Sequence, residues 1–404
     1  MSEATVIKPD LQFVNEIIKG GGESLKKCYQ CATCSVVCNV TPEGNPFPRK
    51  EMVLAQWGQK DKLIASADVW LCHQCSDCTA YCPRGAKPGE VLNAIRKQSI
   101  KEVAMVPFFA KIATDPKWIW LLFAIPMVLF YMIMPYKSID AVPLNNEGKM
   151  AYHFFMPVFP HIDVTFMLTA LFAAVSAFVG ITRLWSGMKK NAAGAQGTGS
   201  PFSHIVPAFT QIFAHKKFTD CNVSKLRKWG HLLLFYAFAG LFVVTVWAVG
   251  YLYGHEFFHI PAFGPFHFGE APYPNSDPVK WLALASSVAF AAGALIILLN
   301  RLGNAAKAGM GSYFDWVFLT IVIGVGATGM GSWALRLAEM KIGYIVYYFH
   351  LVLVWSLFAY APYSKFAHVF YRTTAMVFAR YTGREVKAPN AGSVTEAGVQ
   401  PAAQ

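Results

Sequence analysis

From about residue 117 onward the chain alternates long apolar runs with short polar breaks. Six runs, 117–135, 163–185, 230–252, 279–299, 314–335 and 343–363, are each roughly 20 residues. At ~1.5 Å per residue a helix of that length crosses a ~30 Å hydrocarbon core. The first hundred residues carry shorter patterns. Leu11, Val14, Ile17 and Ile18 fall at helical spacing, and Thr41–Pro48 is too rich in proline for helix. Helix is expected again over Arg49–Ile64 and over 90–105. Long apolar residues are few before residue 107, which predicts a small domain whose core is largely its metal groups. Between the second and third runs, Gly187–Ser200 has linker composition. Phe202, Ile205, Val206, Phe209, Ile212 and Phe213 then share one helical face, suited to a membrane surface or to the ends of a helical bundle. The expected fold is all-α: residues 1–106 form a small domain, 107–384 a six-helix transmembrane bundle, and 385–404 a disordered tail.

Composition agrees with a lipid environment, since 55% of the 404 residues are hydrophobic and 14% charged. The net charge of +12 is unevenly spread. Arg183, Lys189, Lys190, Lys216, Lys217, Lys225, Arg227 and Lys228 crowd one connection, whereas 254–278 holds no lysine or arginine. That asymmetry follows the positive-inside rule and places both termini in the cytoplasm beneath the inner membrane. The basic excess is thereby assigned to orientation and anionic lipid, not to nucleic acid.

Eight of the nine cysteines lie in two copies of C-x2-C-x2-C-x3-C: Cys28, Cys31, Cys34, Cys38, then Cys72, Cys75, Cys78, Cys82, with Pro83 following only the second. Three closely spaced thiolates can take three corners of an iron-sulfur cube, while the fourth reaches the neighbouring cube. The pattern predicts two [4Fe-4S] clusters, one on Cys28, Cys31, Cys34 and Cys82, the other on Cys72, Cys75, Cys78 and Cys38. Zinc ribbons would leave the third cysteine of each triplet without a role. Disulfides need an oxidising compartment, and no apolar signal core precedes the motif.

Histidines supply the second chemistry. His350 and His368 are 18 residues apart, five whole turns, so on one straight helix both rings face one way, ~27 Å apart, with Pro362 placed to kink the helix near its cytoplasmic end. Histidines near the two faces of a membrane suit axial ligation of haem b, one or two per chain. His231, at the start of the third run, is level with His368 and is its expected partner. His161 is the first choice beside His350, with His153, His255 and His259 as further candidates.

These stretches resemble known families. Tyr348–His368 resembles the last haem-bearing helix of the respiratory nitrate reductase gamma subunit family and of the membrane subunit of heterodisulfide reductase. His215 through Cys221, Arg227 and His231 fits the same group. Residues 1–105 resemble the small two-cluster subunit of heterodisulfide reductase. Both parts in one chain resemble the membrane subunit of the quinone-interacting membrane-bound oxidoreductase family. Leu241 stands near the place where the nitrate reductase pattern has a second histidine. The resemblance implies an oxidoreductase subunit that oxidises menaquinol and passes electrons through haem and the clusters to cytoplasmic flavoprotein partners, which would resemble the flavoprotein of heterodisulfide reductase. From there they would reach adenylylsulfate reductase. A heterodisulfide- or sulfite-linked complex, or a structural anchor, are the competing expectations. No acid, base or nucleophile constellation stands out, so the chemistry falls to cofactors.

Overall fold

The structure is a computed structural model that describes residues 8–42, 44–192, 197–215, 225–251, 253–254, 273, 276–305 and 311–384. Among the described residues it is all-α, with no strand. Helices α1 (Leu11–Ile17), α2 (Thr33–Val36), α3 (Arg49–Gln56), α4 (Lys60–Ile64), α5 (Ala67–Leu71), α6 (Asp77–Ala80) and α7 (Pro88–Val103) build the cysteine-bearing region. The helix expected over 49–64 is two helices, because Gly58 (φ +63°) turns the chain between α3 and α4.

This region has an apolar core of its own, contrary to the expectation that metal groups would form most of it. Phe13, Ile17, Leu25, Phe47, Met52 and Val91 are packed together and almost fully buried. At about 1.5–3 kcal/mol each, their burial contributes on the order of 10 kcal/mol before chain entropy is counted. The apolar residues are scattered among short helices and turns, so no single periodic stretch announces them.

Six helices are long and apolar enough to cross a membrane: Pro116–Ile133, Val158–Asn191, Leu226–Gly250, Pro278–Gly303, Tyr313–Leu337 and Ile342–Ala359. The chain is a multi-pass membrane protein. After the short α8 (Pro107–Thr114) come α9 (Ile119–Ile133), α10 (Tyr152–Phe155), α11 (Asp163–Asn191), α12 (Ile205–Phe213), α13 (Lys225–Tyr251), α14 (Pro278–Gly303), α15 (Tyr313–Leu337), α16 (Ile342–Ala359) and α17 (His368–Tyr381). Helices α13 and α14 approach closely at paired glycines: a Cβ on Gly293 would lie 2.8 Å from the Gly230 carbonyl oxygen.

The largest departure from the sequence-based expectation is at the sixth crossing. His350 and His368 do not share one helix, because α16 ends at Ala359 and α17 begins at His368. Pro362 lies in the break, where it donates no backbone hydrogen bond. The break is packed by aromatic rings. Tyr360 and Tyr363 are buried with centroids 5.2 and 5.8 Å from Phe109, and the Tyr363 hydroxyl donates to Ser176 Oγ at 2.9 Å. Ala208 of α12 is buried against Met376 and Val377 of α17. Phe202, Val206, Phe209 and Phe213 remain exposed on its other side, so the helix both packs on the bundle end and presents an apolar stripe.

Candidate functional site

The two cysteine motifs fold alike. Gln30 and Ala32 in the first, and Gln74 and Ser76 in the second, take positive φ at matching positions. This backbone aims the Gln30 amide at Cys28 Sγ (3.4 Å) and the Gln74 amide at Cys72 Sγ (3.3 Å). Each loop then enters a single helical turn, α2 or α6. Amide donors to sulfur and tightly wound loops are the means by which a protein cradles an iron-sulfur group and tunes its potential.

The thiols divide across the motifs. Burial first, then the thiols of Cys28 and Cys31, push Cys34 up to about 11, and Cys82 adds to the effect. Burial pushes Cys38 up to about 12, and its thiol neighbours are Cys72 and Cys75 of the other motif. Cys78 is held well above its ordinary value by burial and by Cys72, Cys75 and Cys38, with Cys34 of the other set last. Cys31 is exposed and its thiol lowered by a hydrogen bond with Thr33. Crowded thiols of this kind become thiolates only when cationic metal discharges their repulsion. Among the described residues no three histidines, cysteines or acids are close enough to hold a single metal ion.

The cysteine region sits on the end of the bundle that carries the lysines and arginines, and backbone carbonyls make the joint. Arg372 donates to the Cys72 carbonyl at 3.0 Å and to His73 Nε2. Arg227 donates to the carbonyls of Gln74 and, at 3.2 Å, His73. Arg96 donates to the carbonyls of Val69, at 2.8 Å, and Cys72. Arg183 reaches the Ala104 carbonyl, Asn191 the Ala65 carbonyl at 3.2 Å, and Arg384 the Asp68 carboxylate at 2.7 Å. Asn93 donates to the buried Asp315 carboxylate at 2.9 Å, which Lys365 also neutralises.

A cavity of about 1610 Å³ starts beneath Cys72, His73 and Gln74 and runs into the bundle. His215, His231 and His368 line its upper part, His350 its middle, and Asp163 and Tyr253 its far end. His231 and His368 have ring centroids 6.4 Å apart. His215 Nε2 lies 3.1 Å from His231 Nδ1, and His368 Nδ1 donates to the Lys365 carbonyl at 2.8 Å. Nδ1 of each ring is thus engaged, and a metal would take Nε2. His350 Nδ1 is 3.1 Å from the Thr328 hydroxyl. Its ring lies over Gly329, where a Cβ would come within 3.0 Å of Cε1. The bundle therefore brings His231, His368 and His350 to one cavity. His161 does not line it, although its neighbours Ile162 and Asp163 do. His153 is exposed on α10. His255, His259 and Cys221 lie outside the described residues.

Sequence reasoning missed His215 as a neighbour of His231, and it missed the arginines. Their signal is present: Arg227 and His231, like His368 and Arg372, are spaced i, i+4 and so share a helix face.

These features define a class: a multi-pass membrane protein with an iron-sulfur domain seated on a cavity lined by histidine. A profile of the 4Fe-4S dicluster domain family matches residues 24–86. The chain is similar to the C-type iron-sulfur subunit of the CoB--CoM heterodisulfide reductase of Methanopyrus kandleri, 32% identical over 147 residues, covering 35% of this chain and 67% of that protein. It therefore belongs to the family of C-type iron-sulfur subunits of heterodisulfide reductase, with the dicluster domain joined to a membrane-spanning region, and the domain is an iron-sulfur electron-transfer module. The corresponding subunit of the H(2):CoB-CoM heterodisulfide,ferredoxin reductase of Methanothermobacter marburgensis is 35% identical over 101 residues, 24% of this chain and 53% of that protein, so the chain spans about half the length of this relative. Citrate utilization protein B of Escherichia coli is 24% identical over 378 residues, 87% of this chain and 89% of that protein. No solved structure matches.

Proposed function

We propose that this chain is the membrane electron-transfer subunit of a menaquinol-linked oxidoreductase complex, carrying electrons between menaquinol and cytoplasmic flavoprotein partners through haem b and two [4Fe-4S] clusters. The observation that carries the reading is the single cavity that joins the second cysteine motif to His231, His368 and His350.

The residues fit the groups. For the clusters, Cys28, Cys31, Cys34 and Cys82 form one ligand set, and Cys72, Cys75, Cys78 and Cys38 the other. This accords with the electrostatic neighbours of Cys34 and Cys38. For haem, the paired imidazoles of His231 and His368 would be the ligands. Their ring centroids stand 6.4 Å apart. The cavity also exceeds the ~300–1,000 Å³ of an ordinary ligand pocket. When bound, these groups supply one-electron chemistry that no side chain here provides. His215 and the Lys365 carbonyl orient the two rings, and the surrounding apolar walls exclude water. His350 would hold a second haem, whereas His161, its expected partner on sequence, does not line the cavity.

The lysine and arginine asymmetry supports an inner-membrane protein with both termini, and the cluster domain of residues 1–106, in the cytoplasm. The resemblance to the membrane subunit of the quinone-interacting oxidoreductase supports adenylylsulfate reductase as the acceptor beyond the flavoprotein, in sulfate respiration. His231→Ala and His368→Ala test the reading in purified membranes. Each is expected to abolish the same haem absorbance component while cluster iron persists. Loss of different components, or of none, overturns the pairing.

A further inference from the structure

The two cysteine motifs share one backbone, yet among the described residues only the second is gripped by cations from the bundle. Arg227 and Arg372 reach it from two different helices, α13 and α17, and each stands one helical turn from a cavity histidine, His231 and His368. Arg96, from within the cysteine region, donates to the Cys72 carbonyl as well. Three guanidinium groups therefore converge on Cys72, His73 and Gln74. The first motif has a looser arrangement. Arg84 lies over the exposed Tyr29 ring, 4.0 Å from its centroid, and Arg49 donates to the Gln30 carbonyl at 2.8 Å, both at the exposed surface. An exposed guanidinium is screened by water, whereas a half-buried one facing a carbonyl is screened less.

We propose that Arg227 and Arg372 are positioning residues with a redox function: they lock the second motif against the histidine cavity and raise the reduction potential of the cluster held by Cys72, Cys75, Cys78 and Cys38. The inference rests on the two-cluster reading above. Reduction adds one electron to the oxidised cluster, with no bond made or broken and no proton moved at the arginines. The added negative charge is stabilised by nearby fixed positive charge, so the second cluster accepts the electron more readily than it would without them. Because the same two helices present His231 and His368, the arginine that sets the potential also fixes the cluster's place relative to the cavity.

The test is a mediated titration with dithionite, followed by electron paramagnetic resonance, on the full-length protein in detergent. Cys38→Ser and Cys82→Ser variants serve to assign the two signals. Arg372→Gln is expected to lower the reduction equilibrium of the second-motif cluster by on the order of tenfold, about 59 mV for a one-electron couple. The first-motif cluster is expected to stay within about twofold of its original equilibrium, because solvent screens it from the joint. Arg372→Lys, which keeps the charge but not the planar fork, is expected to recover most of the difference. A purely structural role would shift both clusters alike, or neither, with iron intact, and either result overturns the proposal. Should Arg372→Gln lose iron, Arg227→Gln takes its place, and loss of iron from both variants assigns the arginines to folding alone and also overturns it. A wild-type protein that shows fewer than two assignable clusters instead sinks the two-cluster reading on which the inference stands.

Discussion

Cys28–Cys38 and Cys72–Cys82 share their spacing, their left-handed residues and their amide-to-thiol hydrogen bonds, but not their surroundings. In the first motif Tyr29 and Val36 are 67% and 81% exposed, and Cys31 is open to solvent. In the second, Cys72 and Cys78 are each 8% exposed, and the arginines of the bundle close over the loop. Spacing decides what kind of group a loop can hold, whereas the neighbours decide where in a relay that group stands. In the proposed relay the buried motif faces the cavity, and the open one, with aromatic and aliphatic side chains at the surface, faces a partner protein.

The contrast can be broken most decisively at the fourth cysteines. Cys82→Ser is expected to abolish the cluster held by Cys28, Cys31 and Cys34, leaving the buried one, and Cys38→Ser is expected to do the reverse. Iron analysis with electron paramagnetic resonance reads the outcome. Loss of the cluster belonging to the mutated residue's own motif contradicts the crossed arrangement, and the division into an inner and an outer cluster would then have to be redrawn.

A smaller effect concerns the helices that carry the buried motif. Asp68 of α5 is paired with Lys50 and Arg384, while Glu51 of α3 is buried beside them. Burial, then the Asp68 charge, push the Glu51 carboxyl up to about 7 from its ordinary 4.5, with Lys50 opposing. Between these two values the folded protein holds a proton that the unfolded chain has lost. Stability from this group is therefore complete below pH 4.5 and falls as pH rises toward 7. Glu51→Gln is expected to stabilise the protein by roughly 1–3 kcal/mol at about pH 7.5 and by little at about pH 4.5, following ~1.36 kcal/mol for each tenfold change in proton affinity. Urea midpoints followed by cluster absorbance check this, and a gain of equal size at both pH values would contradict it.

Much of this organisation was legible in the sequence. A run of about 20 apolar residues has one stable fate in lipid, so six crossings could be read from hydropathy, and their observed bounds agree within a few residues except where a helix is extended or broken. The duplicated cysteine spacing likewise carried its chemistry openly. The packed core of the cysteine region was not legible, because Phe13, Phe47 and Val91 come together from elements far apart in sequence. Periodicity alone could not reveal the break at Tyr360–Ser364, since the apolar pattern continues through it and only Pro362 interrupts. Nor could it reveal that His215 joins His231, for that contact depends on how α12 folds back along the bundle end. The joint between the two parts of the chain escaped for a different reason. Arg227 and Arg372 read as part of a charge distribution, and what they do depends on carbonyls about 150 and 300 residues away, at 3.2 and 3.0 Å.

In the proposed relay the second-motif cluster stands between the cavity and the first-motif cluster. That order is tested most directly by mixing the two single-cluster variants with a menaquinol analogue and following the remaining cluster by electron paramagnetic resonance. In Cys82→Ser, which retains the inner cluster, reduction is expected at close to the wild-type rate. In Cys38→Ser, which retains the outer one, the cluster should remain oxidised toward quinol while still accepting electrons from dithionite. Equal quinol-dependent reduction in both variants, or reduction of the outer cluster alone, would contradict that order.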